Sequence, residues 1–360
     1  APGRVNLIGD HTDHSGGLVL PIAIQLGTRV RASARDDGVL AMRSAQVPGE
    51  PVRRALSGLS PHAHAWTAYV EGAAWVLARE GVELSGADVD VDGDLPAAAG
   101  LSSSAALTCA ALGALLSLAG QTWDAMRMAL AAQRVENDYL GAPVGPMDPT
   151  VVMRAREGHA LFVDTRTLAV AQVPLRFREE GLALLVVDTG SGHRTAGAGY
   201  AERVAQCQAA ARALGLDSLR DVADEAAVEG LPDPVLRARA RHVVTENARV
   251  RAAVDCLRDG PLDALGPLMI GSHESLRDDF AVSTDALDLA VAAAVDAGAL
   301  GARMTGAGFG GCVIALVAAG EVSRCRRAVT EALEGAGQRP RRVFEVFAAA
   351  GAHAVTAAQA

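Results

Sequence analysis

Apolar stretches and turn signals alternate along the whole chain, and the spacing of the apolar residues switches repeatedly between strand and helix. Strands are predicted at 27–34, 39–43, 87–91 and 160–163, where short β-rich runs lie between turn residues. Helical spacing fits 66–79, 103–118 and 123–140, the last bounded by Thr122 as a candidate N-cap and Gly141 just past its end. After Pro174 the cycle restarts. Strands are predicted at 182–187, 312–317 and 343–347, and helices at 196–214, 233–257 and 285–297. The interleaving is that of an α+β or α/β protein divided near residue 174. No repeat at a solenoid period is visible. The alanine-rich tail from Ala348 reads as a surface helix or a frayed end.

Composition narrows the function classes. At 360 residues the chain is long enough for two domains. A net charge of −9 argues against a nucleic-acid binder, which would carry a basic stripe, and 3% aromatic residues give no stacking platform for single strands. The chain contains no lysine, all 33 basic residues being arginine, so phosphate chemistry here runs without a P-loop, kinase or Schiff-base lysine. The five cysteines, at 109, 207, 256, 312 and 325, form no C-x-x-C pair, and reduced thiols in a cytoplasm are the simplest reading. The apolar run 105–119 is interrupted by Thr108 and Ser117 and falls short of a membrane span, and no signal peptide is seen. The chain opens at Ala1 inside a dense motif, so upstream residues are expected.

Gly100 leads into Leu101, Ser102, Ser103 and Ser104 and then into an alanine- and leucine-rich helix. The first turn of a helix carries unpaired N–H groups and a partial positive charge, so this end can hold a phosphate without lysine. Three hydroxyls add hydrogen bonds there, and one can ligate Mg²⁺. Simple capping of the helix is the alternative, for which one serine would suffice. Thr305 to Gly311 contains G-x-G-x-x-G but is followed by a β-like run rather than a helix, so a dinucleotide fold is rejected. These glycines suit a tight turn packed beside the phosphate loop.

Near the start, one arginine, two carboxylates and two histidines crowd into Gly3 to His14. His11 and Asp13 suggest metal binding, with a solvated turn as the alternative. GRVNLIGDHTDH closely resembles the galactokinase signature, and LPAAAGLSSSAAL and MTGAGFGGC resemble the other two motifs of the GHMP small-molecule kinases, in the family's order and spacing. HESLRDDF, RARHVVTEN and GHALFVDTRTL also look like galactokinase, and the resemblance covers essentially the whole chain. It implies an α+β fold of two domains, 1–174 and 175–360, with the active site between them. It further implies ATP-dependent phosphorylation of the anomeric hydroxyl of α-D-galactose by a cytoplasmic monomer, with ATP and Mg²⁺ as cofactors and no nucleic-acid or membrane partner.

In that resemblance Asp148 matches the catalytic base. Pro149 is expected to force it toward an extended conformation, and Pro146 to stiffen the approach. Arg4 matches the arginine beside that base and the transferred phosphate. Ser104 and Glu136 match the Mg²⁺ ligands. Asp10, His11 and Asp13 match the residues that read the outer sugar hydroxyls, with Gly145 and Tyr200 completing the pocket. Gly100, Leu101, Ser102, Ser103 and Ser104 match the ATP phosphate loop. Trp66 and Tyr69 are candidates for the adenine pocket, and core packing reads equally well for them.

The chain departs from the family pattern at four places. Asp10 stands where glutamate is usual, His14 where tyrosine is usual, Pro149 where glutamine is common, and Pro96-Ala97-Ala98-Ala99 where more glycine is often found. The first two touch the sugar end. Two other readings therefore stand beside galactokinase: a GHMP kinase for a related sugar such as N-acetylgalactosamine or arabinose, and a catalytically silent galactose sensor. The intact Gly100 to Ala105 stretch and Asp148 rank the sensor last. If no residues precede Ala1, an exposed sheet edge and a loosely anchored Arg4 are expected.

Overall fold

In the computed structural model, which describes residues 1–61, 65–96, 99–191, 196–223 and 225–355, the continuous apolar runs are strands covered on both faces. Leu184 and Val186 of the strand Leu182–Asp188 face one hydrophobic cluster, while Leu185 and Val187 between them face another. Cys312–Ala318 repeats the pattern, with Ile314 and Leu316 on one side and Val313 and Ala315 on the other. These two strands form the centre of a four-stranded antiparallel sheet, flanked by Gly301–Thr305 and Arg342–Val346. Helices Ala196–Ala213, Pro234–Asp259, Leu265–Asp278, Asp285–Asp296 and Val322–Gly335 belong to this half.

The first half holds a five-stranded sheet in the order Pro2–Asn6, Pro21–Ala34, Ala87–Gly93, Val39–Ser44, Val47–Ala55. All neighbours are antiparallel except Val39–Ser44 beside Ala87–Gly93. Helices Ala68–Arg79 and Ser103–Leu118 pack here, burying Val70, Leu77, Cys109 and Leu112 with Leu40 and Val89 of the sheet. A third sheet of Leu18–Val19, His159–Asp164 and Ala169–Pro174 completes the half. The two halves share a core: Val5 and Ile22 lie in one cluster with Val250, Leu184 and Ile314.

The strand expected at 27–34 begins earlier, at Pro21. Its second half alternates, with Arg29, Arg31 and Ser33 exposed, whereas Pro21 to Ile24 are all buried and carry no strand period. The helix expected at 123–140 is capped by Asp124, not Thr122, because the Asp124 carboxylate accepts the N–H groups of Met126 and Arg127. The α-helix Ala125–Arg134 then widens into a π-turn, Val135–Tyr139, and Gly141 follows with φ +76°. Asp148 is not extended. It lies in the first turn of the helix Met147–Arg154, where the N–H that Pro149 lacks would have had no intrahelical partner anyway. Nor is the tail frayed at Ala348, which bridges Ile24, while the amides of Gly351 and Ala352 donate to Ala155 and Val152. The last five residues lie outside the described ones. Among the described residues no helix is long and apolar enough to cross a membrane.

Candidate active site

A cleft of about 510 Å³ opens where the strand Pro2–Asn6, the turn that follows it, the loop before Met147 and the second turn of Ala196–Ala213 meet. Arg4, Asp10, His11, Asp13, Gly145, Asp148 and Tyr200 all line it, and its size suits a small-molecule site.

The turn holding the three sugar-signature side chains is pinned from behind. Gly9 adopts φ +100°, and a Cβ there would press on the backbone of Leu18 and Val19. His11 sits at φ +60°, a region histidine tolerates better than most residues. Three side chains of the helix Pro234–Asp259 grip this backbone: Glu246 accepts from the Gly9 amide (2.8 Å), Asn247 accepts from the Leu18 amide (2.7 Å), and His242 Nε2 meets the Asp10 carbonyl (3.1 Å). They come from the RARHVVTEN segment, whose letters are visible in the sequence but whose contacts are not. Arg303, fully buried on Gly301–Thr305, was likewise hidden in the sequence; it donates to Asp10 Oδ2 (2.7 Å).

Asp148 is gripped from two sides. Arg4 donates through Nε to Oδ1 (2.9 Å) and through Nη2 to Oδ2 (2.8 Å), a two-point pair across 144 residues of sequence. Oδ2 also accepts a short bond from the Ser102 hydroxyl. Arg4 Nη1 donates to the Gly100 carbonyl (2.5 Å) and its amide to Leu101 O (3.1 Å), so Arg4 is firmly anchored. Its strand pairs with Pro21–Ala34.

Ser102 heads the helix Ser103–Leu118 in left-handed conformation (φ +58°), and its side chain makes no capping bond. The first-turn amides are therefore left to an external acceptor, which favours the anion site over simple capping. Ser103 is exposed, and Ser104 favours the charged form of Glu136, opposing part of its upward shift. Gly306 (φ +88°) packs against this loop: a Cβ there would stand 2.9 Å from Gly100 O. The third motif thus lies beside the phosphate loop, as its glycines suggest. The side chain of Leu101 is buried in the shared core, so only its backbone faces the loop. Trp66 packs partly buried against the core of the first half and is not among the cleft-lining residues.

Negative charge is concentrated around Arg4. Burial, followed by the charge of Asp148, pushes both Asp13 and Glu136 up to about 7. Burial, then Asp13 and Asp148, raises the Tyr200 phenol. Burial holds His11 well below its usual range and His14 near 4, so both rings are neutral. The buried His11 Nδ1 has no hydrogen-bond partner among the described residues. A Cβ at Gly145 would overlap the Asp13 carboxylate and force that side chain to shift. Among the described residues no three His, Cys, Asp or Glu side chains converge as a metal cage, so His11 and Asp13 gain no third ligand. Ser104 and Glu136 instead offer the hard oxygen pair that suits Mg²⁺ when phosphates and water fill its other positions. A surplus carboxylate held near 7 fits a cation there.

A phosphate-ready helix end, a clamped carboxylate and a sugar-sized cleft on this fold define a small-molecule kinase of the GHMP type. Residues 68–156 match the GHMP kinases N terminal domain, 252–335 the GHMP kinases C terminal domain, and 1–34 the galactokinase galactose-binding signature. The chain is 46% identical to the galactokinase of Streptomyces coelicolor, over 98% of this chain and 92% of that protein. It is 42% identical to that of Mycobacterium bovis, over 98% and 97%. The solved Lactococcus lactis galactokinase complexed with galactose superposes with a TM-score of 0.94 at 33% identity, covering 99% of this chain and 94% of that one. The Methanococcus jannaschii mevalonate kinase, at 19% identity and a TM-score of 0.71, shares the fold. The chain belongs to the galactokinase family of GHMP kinases. Neither the kinase of another sugar nor the silent sensor is favoured by these relatives.

Proposed function

We propose that Asp148 is the base in the reaction this family membership assigns, the ATP-dependent phosphorylation of galactose, and that the product is galactose 1-phosphate. The carrying observation is the grip of Arg4 and Ser102 on Asp148 where the phosphate loop meets the cleft. A sugar hydroxyl attacks poorly until its proton has an acceptor within hydrogen-bond reach. Asp148 takes that proton as the anomeric oxygen bonds to the γ-phosphorus of ATP and the bond to the β–γ bridging oxygen breaks. Arg4 keeps the carboxylate oriented, and its charge offsets what develops on the phosphoryl oxygens. The amides of the Ser103–Leu118 first turn, with Gly100, Ser102 and Ser103, receive the phosphates.

Asp13, His11, Asp10, Gly145 and Tyr200 read the remaining sugar hydroxyls. His11 Nδ1 is a buried polar atom that a hydroxyl would satisfy. Ser104 and Glu136 would hold Mg²⁺, which when bound neutralises phosphate charge. Residues 1–174 and 175–360 act as the two domains bordering the cleft. The five described cysteines are all free and buried, and we place the protein in a reducing cytoplasm.

The test measures ADP release with Mg²⁺ and ATP against D-galactose, N-acetylgalactosamine, L-arabinose, glucose and no sugar. Turnover on galactose well above the others supports the reading. Preferential turnover on another sugar would overturn the substrate and point to Asp10 and His14.

A further inference from the structure

Arg303 is the largest fully buried side chain of the described residues, at 0% exposure in the middle of Gly301–Thr305. A guanidinium removed from water is tolerated only when paired and hydrogen-bonded. Its Nη1 donates to the carbonyls of Asn6 (2.9 Å) and Leu7 (3.2 Å), which line up the signature strand. Its Nη2 donates to Asp10 Oδ2 at 2.7 Å and stands 3.9 Å from Glu246 Oε1. Glu246 is already served by Gly9 N, Ser272 Oγ and Arg249 Nε, so the charge of Arg303 is balanced chiefly by Asp10. The other Asp10 oxygen accepts the Gly306 amide at 3.2 Å. Asp10 is 1% exposed yet lines the cleft. A carboxylate has about four lone-pair sites, so two donors from behind leave two for a ligand in front.

We infer that Arg303 is a positioning residue of the sugar site: reaching forward from the strand that leads into the third motif, it fixes the shortened Asp10 side chain as a hydrogen-bond acceptor toward galactose. The inference rests on the reading of Asp10 as a sugar contact. Aspartate is one methylene shorter than the usual glutamate and cannot reach freely into the cleft. It depends instead on the fixed depth and angle that Arg303 and the Gly306 amide impose. Arg303 also decides the chemical form of Asp10. Burial favours the neutral acid, and Arg303, then Arg4, opposes it. Asp13 on the same turn and Glu246 behind add negative charge, while His242 on the Asp10 carbonyl and His11 beside it are held neutral by burial. Without Arg303 the carboxyl would hold a proton and present a donor where an acceptor is needed.

The experiment compares Arg303→Gln, Arg303→Lys, Asp10→Asn and the Asp10→Asn/Arg303→Gln double variant, with KM for galactose and for ATP measured from pH 6 to 9. Arg303→Gln is expected to raise the galactose KM roughly ten- to a hundredfold at pH 6.5, the worth of a hydrogen bond to a charged group, with the ATP KM within about twofold. That increase should shrink as pH rises and Asp10 ionises. This added pH dependence should vanish in the double variant, which has no carboxylate to titrate. Arg303→Lys keeps the charge and should show a smaller KM increase with no added pH dependence. If Arg303→Gln does not fold, Arg303→Lys and Asp10→Asn decide: a galactose-specific KM increase in both supports the role. A purely structural staple would lower thermal stability and raise both KM values together, and that result overturns the inference. Asp10→Asn with an unchanged galactose KM would overturn the sugar-contact reading itself and the inference with it. A raised KM in Asp10→Asn alone, with Arg303→Gln or Arg303→Lys like wild type, would overturn only the role of Arg303.

Discussion

Asp148→Asn separates chemistry from binding more cleanly than any other single change in this cleft. Oδ2 accepts from both Arg4 Nη2 and the Ser102 hydroxyl, whereas Oδ1 accepts only from Arg4 Nε. The amide group of asparagine therefore settles at the Oδ1 position, where its N–H groups oppose Arg4 Nε. One charge-assisted bond is lost, about 1.5–3 kcal/mol of local interaction. Against this, removing the negative charge relieves Asp13 and Glu136, for both of which Asp148 is the second cause of the upward shift after burial. The variant should fold with a modest change in melting temperature. Turnover is another matter, because an amide cannot take the anomeric proton, and loss of a general base is worth roughly 10²- to 10⁴-fold. Steady-state ADP release would report kcat, and calorimetric titration with galactose would report binding, which should change only a few-fold. Turnover within tenfold of wild type would remove Asp148 as the base. A drop matched by an equal loss of galactose affinity would make it a binding residue instead.

Glu136→Gln should raise the Mg²⁺ concentration needed for half-maximal activity while making the ligand-free protein more heat-stable at pH 7.5; an unaltered Mg²⁺ titration would refute the ligand assignment. The sign follows from linkage. A carboxylate raised to about 7 contributes stability below its ordinary value near 4, and that contribution is lost as pH rises through 7, so the wild type carries the penalty at neutral pH and the glutamine variant does not. His14 and His242, lowered to about 4, act oppositely: their contribution is present above pH 6.5 and lost as pH falls toward 4. Melting curves of Asp13→Asn/Glu136→Gln between pH 7 and 4 should therefore fall more steeply than those of wild type, and parallel curves would count against the two raised carboxyls. Gly145→Ala forces a Cβ into the Asp13 carboxylate and should raise the galactose KM at least tenfold with the ATP KM little changed. An unaffected galactose KM would show that Asp13 has room to move.

What could be read in the sequence was local. The helix Ser103–Leu118 has its expected bounds because a glycine-serine lead and an alanine- and leucine-rich run define it within its own residues. The signature motif holds Arg4, Asp10, His11 and Asp13 within residues 4–13, and the family resemblance adds Gly145, Asp148 and Tyr200 from elsewhere in the chain; all seven line one cleft. Stretches with no alternation of polar and apolar positions were harder to delimit. Pro21 to Ile24 lack a polar face, and without one there is no period to read. The helix around Asp148 was missed because a pre-proline preference is a tendency that the first turn of a helix overrides.

Tertiary structure alone decided which atoms meet and how wet they are. Sequence placed a serine at 102, and folding turned its hydroxyl from the helix cap to Asp148. It likewise set Arg303 behind Asp10, 293 residues away in the chain, and drew His242, Glu246 and Asn247 onto the sugar turn. Such pairings depend on how sheets and helices stack, to which no local window of residues is sensitive. The titration of Asp13 and Glu136 near neutrality has the same origin. A carboxylate in a sequence is an ordinary acid, and only burial beside another fixed charge makes it a proton holder at pH 7.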